Sequence, residues 1–421
     1  MTRIRFCLFC LSLLMLFAAC EQEKSIDIPM PKQTDYLGTI LTLSDDDYYD
    51  KVLGALVGSA IGDAMGASTE MWNRDNIQNV YGYIIGLTTV TREKSPEGTW
   101  KHNMIAGSTT DDTRWKYLMG QYISSHRSSL SVDDFMQFII SYYEAQTQAL
   151  SDKSVQESTD ILDARIEQIT WIKEWARVAI AHQKGRDEYV KAQARFYGGE
   201  MSCAGMLYSP MFGLVESNPE TAYEIAFDHA VFDIGYAKDI SALTAAMISL
   251  AMQSVSMDSI IDVIRFVDPY DYKDSRLIGR LAENIALSAT TTIGYAQGIQ
   301  DPNAELIPPD QFPGTALEWT QIQYIFDTLD NEKQAIAFHA GEIWQILIAG
   351  LKYGNGDFEK SMHFIVNYGR DNDTVAAVAG MILGAKIGFN NLPEQLKKDI
   401  LKVSQEVIGI DLEKLAKEMV E

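Results

Sequence analysis

The sequence of 421 residues is 47% hydrophobic and 22% charged, a composition typical of a globular protein that can bury one large core or two ordinary ones. Its 58 acidic side chains outnumber the 35 basic ones and give a formal net charge of -23. Because this charge repels phosphate backbones, we expect no nucleic-acid partner.

The chain begins with the pattern of an export signal. Arg3 and Arg5 precede a largely apolar run over residues 6–18, shorter than the roughly 20 residues that a membrane-spanning helix needs. The sequence Leu-Phe-Ala-Ala-Cys that ends at Cys20 resembles a bacterial lipobox, whose cysteine is acylated. We therefore predict a lipoprotein signal peptide over residues 1–19 and a lipid anchor on Cys20. The protein would then be exported and lie on a bacterial membrane, at the periplasmic face or the cell surface. An ordinary signal peptide with an incidental cysteine is the alternative.

A tether and one domain are predicted after the signal peptide. Residues 20–45 are polar, contain Pro29 and Pro31, and lack helical or strand periodicity, which is typical of a flexible linker. Residues 46–410 show no fixed-period repeat and are predicted to form one domain. Its single cysteine, Cys203, is expected to be buried as a small hydrophobic side chain.

Helical periodicity dominates the predicted domain. Asp63 is the one acid within a first apolar stripe, which consists of Leu53, Leu56, Val57, Ala60, Ile61 and Ala64. Comparable stripes start at Trp115, Ile343 and Val375. These segments predict helices that bury one face.

Other kinds of structure have weak signals. Residues 80–91 are the best candidate for a strand, although glycines interrupt them. The proline-rich residues 302–313 are predicted to form a surface loop. We therefore predict an all-α fold, built as one large helical domain.

Two clusters of oxygen-bearing side chains each precede a helical stripe. Residues 109–113 read Thr-Thr-Asp-Asp-Thr, and residues 369–374 read Gly-Arg-Asp-Asn-Asp-Thr. Such residues are preferred helix N-caps, and acids in a first turn complement the helix dipole, so either cluster alone fits capping. Each cluster nevertheless offers two carboxylates and an adjacent hydroxyl, which is more than a cap needs.

Divalent cations would explain the surplus of carboxylates. Four carboxylates brought together repel one another by several kcal/mol, estimated at an effective dielectric near ~20 and separations of ~4 Å. Oxygen ligands suit magnesium, manganese or calcium, whereas zinc prefers histidine and cysteine. His339 and Glu342 are spaced to share a helix face, but a histidine beside an apolar stripe is more often a core residue.

Three motifs in order resemble those of the ADP-ribosylglycohydrolases. Residues 54–67 (Gly-Ala-Leu-Val-Gly-Ser-Ala-Ile-Gly-Asp-Ala-Met-Gly-Ala), followed by Glu70, look like the opening motif of that family. Residues 110–113 (Thr-Asp-Asp-Thr) match its first metal motif, and residues 371–374 (Asp-Asn-Asp-Thr) resemble its C-terminal metal motif. The resemblance spans residues 50–390 and implies the family's single orthogonal helical bundle.

The resemblance also implies roles for individual residues. It implies a pair of Mg²⁺ or Mn²⁺ ions with six ligands, which are Thr110, Asp111, Asp112, Asp371, Asp373 and Thr374. Glu70 and Asp112 are the residues we assign to proton handling. A surface glutamate is the alternative interpretation of Glu70. Asp63 is expected to support the site through hydrogen bonds, since a buried unpaired carboxylate is unfavourable.

The middle of the chain departs from the family pattern. Ser202 and Cys203 stand where the family shows Gly-Asn-Gly, and Tyr236 stands where it often places a histidine on a substrate-facing loop. We assign Ser202 and Tyr236 to substrate binding, where an aromatic ring at position 236 could stack on a sugar or a base.

The predicted function is a metal-dependent glycoside hydrolase that cleaves an ADP-ribosyl or related ribosyl or furanosyl N- or O-glycosidic bond. One alternative is an exported hydrolase of another furanoside or nucleoside-like glycoside. A second alternative is a non-catalytic binding protein on the same fold, because fold alone does not establish activity. The expected partner is a small-molecule glycoside or an ADP-ribosylated substrate, and a monomer is favoured.

Overall fold

The computed structural model of the protein describes residues 43–91, 103–151, 169–300 and 306–421. Within these residues the chain forms seventeen α-helices, several short 3₁₀ turns and four strands of two residues each. The predicted all-α fold is confirmed. The predicted signal peptide, Cys20 and nearly all of the predicted tether lie outside the described residues.

The first nine helices run to the middle of the chain. They are α1 (Asp45–Gly66), α2 (Arg74–Tyr81), α3 (Asp111–Ser125), α4 (Val132–Ser151), α5 (Lys173–Gln183), α6 (Arg186–Arg195), α7 (Phe212–Val215), α8 (Pro219–His229) and α9 (Ala237–Ala251). The remaining eight are α10 (Met257–Asp262), α11 (Leu281–Gln297), α12 (Ala316–Asn331), α13 (Ala340–Gly354), α14 (Phe358–Tyr368), α15 (Asn372–Ile387), α16 (Glu394–Val403) and α17 (Leu412–Val420). All four predicted helical stripes lie in helices, namely α1, α3, α13 and α15.

Helices α1 and α15 form the centre of the fold. Residues 51–66 of α1 and 372–385 of α15 are buried on every side, as expected for helices enclosed by other helices. The two helices run antiparallel and touch backbone to backbone. A methyl group at Gly58 would overlap the carbonyl oxygen of Gly380, and one at Gly62 would overlap that of Ala376. The sequence motif of residues 54–67 therefore allows this close approach.

One contiguous hydrophobic core surrounds the central pair and includes residues from α1 to α17. The last helix, α17, lies beyond residue 410, the predicted end of the domain, and packs against α1 and α3. Leu415 of α17 contacts the position of Gly120 in α3, where a Cβ atom would lie 2.9 Å from its methyl carbons. No helix in the described parts of the chain is long and apolar enough to cross a membrane.

Two antiparallel pairs of very short strands complete the structure. Strand β1 (Trp72–Asn73) pairs with β4 (Gly369–Arg370), and β2 (Val90–Thr91) pairs with β3 (Asn103–Met104). The β1–β4 pair places the segment that follows α1 next to the segment that precedes α15.

The best strand candidate in the sequence, residues 80–91, forms a strand only at its last two residues, in keeping with the predicted all-α fold. Residues 80 and 81 end helix α2, and residues 82–89 form neither helix nor strand. The side chain of Asn367 replaces a strand partner, because it accepts a hydrogen bond from the Ile84 N–H and donates one to the Ile84 carbonyl, both at 2.8 Å. The described part of the predicted proline-rich loop, residues 306–313, does lack helix and strand.

Candidate functional site

The N-terminus of α3 is held on the central helix by Asp63. The fully buried carboxylate accepts hydrogen bonds from the backbone N–H groups of Thr110 (2.9 Å) and Thr113 (3.0 Å) and from the Thr113 hydroxyl (2.6 Å). Burial, and secondly the nearby charge of Asp112, raise the pKa of Asp63 to about 6, although these hydrogen bonds oppose the shift. Asp63 therefore positions the first acidic cluster through hydrogen bonds, which is the supporting role predicted for it.

Asp112 is bonded to protein groups on both of its carboxylate oxygens. Lys116, one turn later in α3, places its Nζ 3.0 Å from Oδ1, and the Thr374 hydroxyl donates to Oδ2 at 2.9 Å. The side chains of Asp112 and Lys116 are only 1% and 3% exposed. A buried lysine ammonium group therefore lies beside the first cluster, and the sequence motifs give no sign of it.

The β1–β4 pair brings Glu70 next to the second acidic cluster. Glu70 lies just before β1, Asp371 follows β4, and the Met71 N–H donates to the Arg370 carbonyl at 2.6 Å. Met71 and Arg370 both have φ of +65°, a left-handed conformation that costs a non-glycine residue on the order of 1 kcal/mol. This backbone strain occurs immediately beside the two acids, where the surrounding structure must compensate for it.

Arg370 directs its own charge away from the acids. Its guanidinium pairs with Glu342 of α13, with Nη2 3.0 Å from Oε2, and also donates to the Gln334 carbonyl at 3.1 Å. The ion pair with Glu342 raises the pKa of Arg370. Glu342, which the sequence placed on one helix face with His339, therefore anchors the turn that precedes Asp371.

The residue between the two acids of the second cluster has a structural role. Asn372 is fully buried and donates through Nδ2 to the Thr69 hydroxyl (2.8 Å) and to the Val366 carbonyl (2.9 Å). It ties the start of α15 to the turn that carries Glu70. At the same point Gly66 has no room for a methyl group, which would overlap the backbone of Asp373.

Three carboxylates meet at this point. Glu70, Asp371 and Asp373 are all buried, and each offers one oxygen within 4.8 Å of the oxygens of the other two. Three buried negative charges so close together repel one another strongly. Hard divalent cations such as Mg²⁺ and Mn²⁺ prefer carboxylate oxygens, so these residues fit such an ion.

A pocket opens over the carboxylates. It has a free volume of about 410 Å³ including its mouth, and its polar lining includes Glu70, Asp111, Asp371, Asp373 and Thr374. Apolar walls come from Trp175 of α5 and from Leu207 and Phe338, among others. The lining thus combines acidic oxygens with aromatic surface.

The six predicted metal ligands do not all face this pocket. Asp111, Asp371, Asp373 and Thr374 line it, whereas Thr110 and Asp112 are not among the described residues that do. The Thr110 hydroxyl caps α3 by accepting from the Asp112 N–H. Their assignment as ligands stays a prediction. The structure adds Glu70, which had been assigned only to proton handling, to the group of carboxylates that can hold a cation.

Cys203 also lines the pocket and is 5% exposed, so its expected burial is confirmed. Its thiol lies 3.7 Å from Asp371 Oδ2. Burial, and secondly the charge of Asp371, raises the pKa of Cys203 well above its ordinary value. The thiol is therefore protonated at neutral pH.

The two predicted substrate-binding residues lie near the pocket but are not among the described residues that line it. Ser202 is 2% exposed and forms an isolated antiparallel bridge with His339. Tyr236 is partly exposed, and its ring centre is 6.2 Å from that of His339. Both therefore contact the segment that carries the pocket residue Phe338, and their role in binding stays a prediction.

His339 lies next to Tyr236 and makes a polar contact with Glu200. Its Nδ1 accepts from the Gly341 N–H at 3.2 Å, which places the proton on Nε2, 3.3 Å from Glu200 Oε1. Burial lowers the pKa of His339, while the charge of Glu200 opposes this shift. Burial and the same glutamate raise the pKa of Tyr236. His339 is thus a neutral hydrogen-bonding group and caps α13.

Comparison with known proteins decides the family. The family model described as ADP-ribosylglycohydrolase matches residues 44–421. The chain belongs to the ADP-ribosylglycohydrolase family. The resemblance inferred from the three sequence motifs is therefore confirmed, and it extends over every described residue but the first. None of the curated proteins compared with this ADP-ribosylglycohydrolase family member matches it significantly.

A solved structure shows the same fold at low sequence identity. The protein titled "ADP-ribosylglycohydrolase-related protein complex" is 17% identical, and the match covers 89% of this chain and 98% of that chain with a TM-score of 0.53. At that identity the similarity concerns the fold only. The helical bundle of this family member is thus supported independently of its acidic motifs.

Proposed function

We propose that this family member is a divalent-cation-dependent glycoside hydrolase acting on an ADP-ribosyl or related ribosyl or furanosyl bond. The observation that carries the proposal is the buried group of Glu70, Asp371 and Asp373 in a pocket that aromatic side chains also line. Family membership supports a glycohydrolase, and the carboxylates suit Mg²⁺ or Mn²⁺.

The proposed reaction is hydrolysis at the anomeric carbon. Water attacks that carbon, the bond to the leaving nitrogen or oxygen breaks, and the leaving group takes up a proton. A bound divalent cation supplies Lewis acidity and lowers the pKa of water. One oxygen of Glu70 lies close to the oxygens of Asp371 and Asp373. The second oxygen of the Glu70 carboxylate can accept the proton of the attacking water. Trp175 and Phe338 offer flat apolar surface to a base or sugar ring.

Activity measurements on paired variants test the proposal. The purified protein is incubated with ADP-ribosylated substrates and with chromogenic furanosides, with EDTA or with Mg²⁺ or Mn²⁺. We expect cation-dependent hydrolysis that falls by about 10²-fold or more in Glu70→Gln and Asp373→Asn, the range for lost acid–base groups. Asp187→Asn, an exposed acid in the first turn of α6, is the matched control and should retain activity. Undiminished turnover in Asp373→Asn contradicts the proposal.

The second candidate function is hydrolysis of a different furanoside or nucleoside-like glycoside. It is favoured by Tyr236 and Ser202, which stand at positions where the family pattern has other residues and which both contact the His339 segment. Turnover of chromogenic furanosides without turnover of ADP-ribosylated substrates would select this candidate. Metal-dependent ligand binding without any turnover would instead favour the non-catalytic alternative.

We also propose that the protein is exported and anchored to the membrane through Cys20. The support is the N-terminal sequence pattern alone. Expression of the full chain with labelled palmitate should yield a labelled protein in the membrane fraction. Cys20→Ser should lose the label, and a label that persists in this variant would contradict the assignment.

A further inference from the structure

A buried lysine lies beside the first acidic cluster, one turn after Asp112 in α3. Lys116 is 2% exposed, and its Nζ donates to the side chain of Asp112 at 3.0 Å and to the Asp112 carbonyl at 3.2 Å. The residues are four apart in α3 and so share one face of the helix. A fully buried ammonium group is unfavourable without such a partner, so the folded protein needs this ion pair to keep Lys116 buried.

The ion pair changes what Asp112 can do for a cation. Oδ1 accepts from Lys116 and Oδ2 accepts from the Thr374 hydroxyl at 2.9 Å. A divalent ion bound by Asp112 would lie close to the ammonium group in a region of low dielectric, where like charges repel strongly. Lys116 already balances the charge of Asp112.

Three other acids of the site are arranged differently. Glu70, Asp371 and Asp373 come together from the turn after α1 and from the start of α15, with their oxygens within 4.8 Å of one another. Arg370, the basic residue next to Asp371, is bonded instead to Glu342 and the Gln334 carbonyl. Glu70, Asp371 and Asp373 therefore form a group of carboxylates that can hold a cation, and Asp112 is not part of that group.

We propose that Lys116 supplies the second positive charge of the site, so that the protein binds one divalent cation and not two. The ion would be held by Glu70, Asp371 and Asp373, whereas Asp112 would serve as the counter-ion of Lys116. This inference rests on the proposed function, since it concerns the cation that the activity requires. It differs from the two ions that the sequence motifs imply.

Manganese stoichiometry tests the inference directly. The purified full chain is stripped with EDTA and titrated with Mn²⁺, and bound metal is counted by elemental analysis and by electron paramagnetic resonance. We expect one Mn²⁺ per chain with the spectrum of an isolated ion. Two ions per chain with an exchange-coupled spectrum would overturn the inference but leave the proposed function standing. No bound Mn²⁺ would overturn both.

Variants of the ion pair separate the charge of Lys116 from its packing. Lys116→Met removes the ammonium and is expected to raise the stoichiometry from one ion to two, because Asp112 then needs another cation. Lys116→Arg keeps the charge and should stay at one ion. A single ion in a folded Lys116→Met variant would overturn the role given to Lys116.

A neutral double variant covers the case in which Lys116→Met does not fold. Lys116→Met with Asp112→Asn removes both buried charges at once and avoids an unpaired carboxylate. We expect it to bind one Mn²⁺ with an affinity within about threefold of the wild type. Asp373→Asn should lose the ion. Loss of Mn²⁺ in the double variant would make Asp112 a ligand and overturn the inference.

Discussion

Buried aspartates in this protein keep their place by different means. Asp239 is paired with Arg280, with Oδ1 2.7 Å from Nη2, and both side chains are at most 3% exposed. Asp233 is 1% exposed and instead accepts from the Gly205 N–H at 2.7 Å and from the Ser241 hydroxyl at 2.6 Å. Burial raises the pKa of Asp233 to about 6, although these hydrogen bonds and Lys238 oppose the shift. Asp233 thus keeps its proton to a higher pH than an ordinary aspartate does.

The raised pKa of Asp233 predicts a pH dependence of stability. The folded chain holds this proton up to about pH 6, whereas the unfolded chain releases it near its ordinary value of 3.8. The stabilisation is therefore complete below about pH 4 and is lost as the pH rises through 6. Asp233→Asn cannot titrate and should flatten this dependence by on the order of 2–3 kcal/mol.

Urea unfolding in EDTA at pH 4.5 and pH 7 measures this effect. Asp63, whose pKa burial also raises to about 6, is present in both proteins, so the difference between them isolates Asp233. The free energy of unfolding should fall more steeply with pH in the wild type than in Asp233→Asn. Equal changes in the two proteins would refute the assignment.

At the scale of elements, the contact between α1 and α15 determines where the acids lie. Gly54, Gly58, Gly62 and Gly66 repeat every four residues and so form one face of α1. Along this face the backbone of α15 approaches directly, with Gly384, Gly380, Ala376 and Asp373 opposite in turn. The position of Asp373 is thus determined by the glycine face and not by its own side chain.

Two glycine substitutions should change stability in opposite directions. Gly62→Ala places a methyl group against the Ala376 carbonyl and should lower the free energy of unfolding by about 1–3 kcal/mol, as overpacked cores do. Gly294→Ala lies on an exposed part of α11 with nothing within 4 Å, so it should add about 0.5–1 kcal/mol through helix propensity. Chemical denaturation compares both with the wild type. Equal effects of the two changes would show that the close contact is unimportant.

At the scale of the whole molecule, the net charge of -23 means that every buried acid adds to a general repulsion. Some buried acids are neutralised locally, Asp112 by Lys116 and Asp239 by Arg280. The acids Glu70, Asp371 and Asp373 concentrate charge at one pocket. A specifically bound cation should therefore stabilise the folded chain as a whole.

Metal addition should raise thermal stability in a way that depends on the site. At a free Mn²⁺ concentration 100 times Kd, binding contributes about 2.7 kcal/mol to the folded state. We expect Tm to rise on adding Mn²⁺ to the EDTA-stripped protein and to stay constant in Asp373→Asn. Sodium chloride at equal ionic strength controls for screening of the net charge. An equal rise in Asp373→Asn would attribute the effect to screening.

Much of the fold was predictable from the sequence, whereas the cation chemistry stays a prediction. The apolar stripes predicted helices α1, α3, α13 and α15, because helix periodicity is a local property of the chain. The acidic clusters were correctly placed at the N-termini of α3 and α15 for the same reason. The choice of oxygen-binding cations followed from the residue types alone.

Only the tertiary structure could decide which acids meet and which are already paired. Glu70 reaches Asp371 through strands of two residues each, which are too short to leave a periodic signal in the sequence. The spacing of Lys116 from Asp112 is visible in the sequence, but an i, i+4 pair is ordinary on a solvated helix surface. The role of the Lys116–Asp112 pair depends on its burial, which arises only when α1, α3 and α15 pack together. Local chemistry therefore comes from the sequence, whereas the buried ion pair behind the proposed single cation depends on contacts between distant segments.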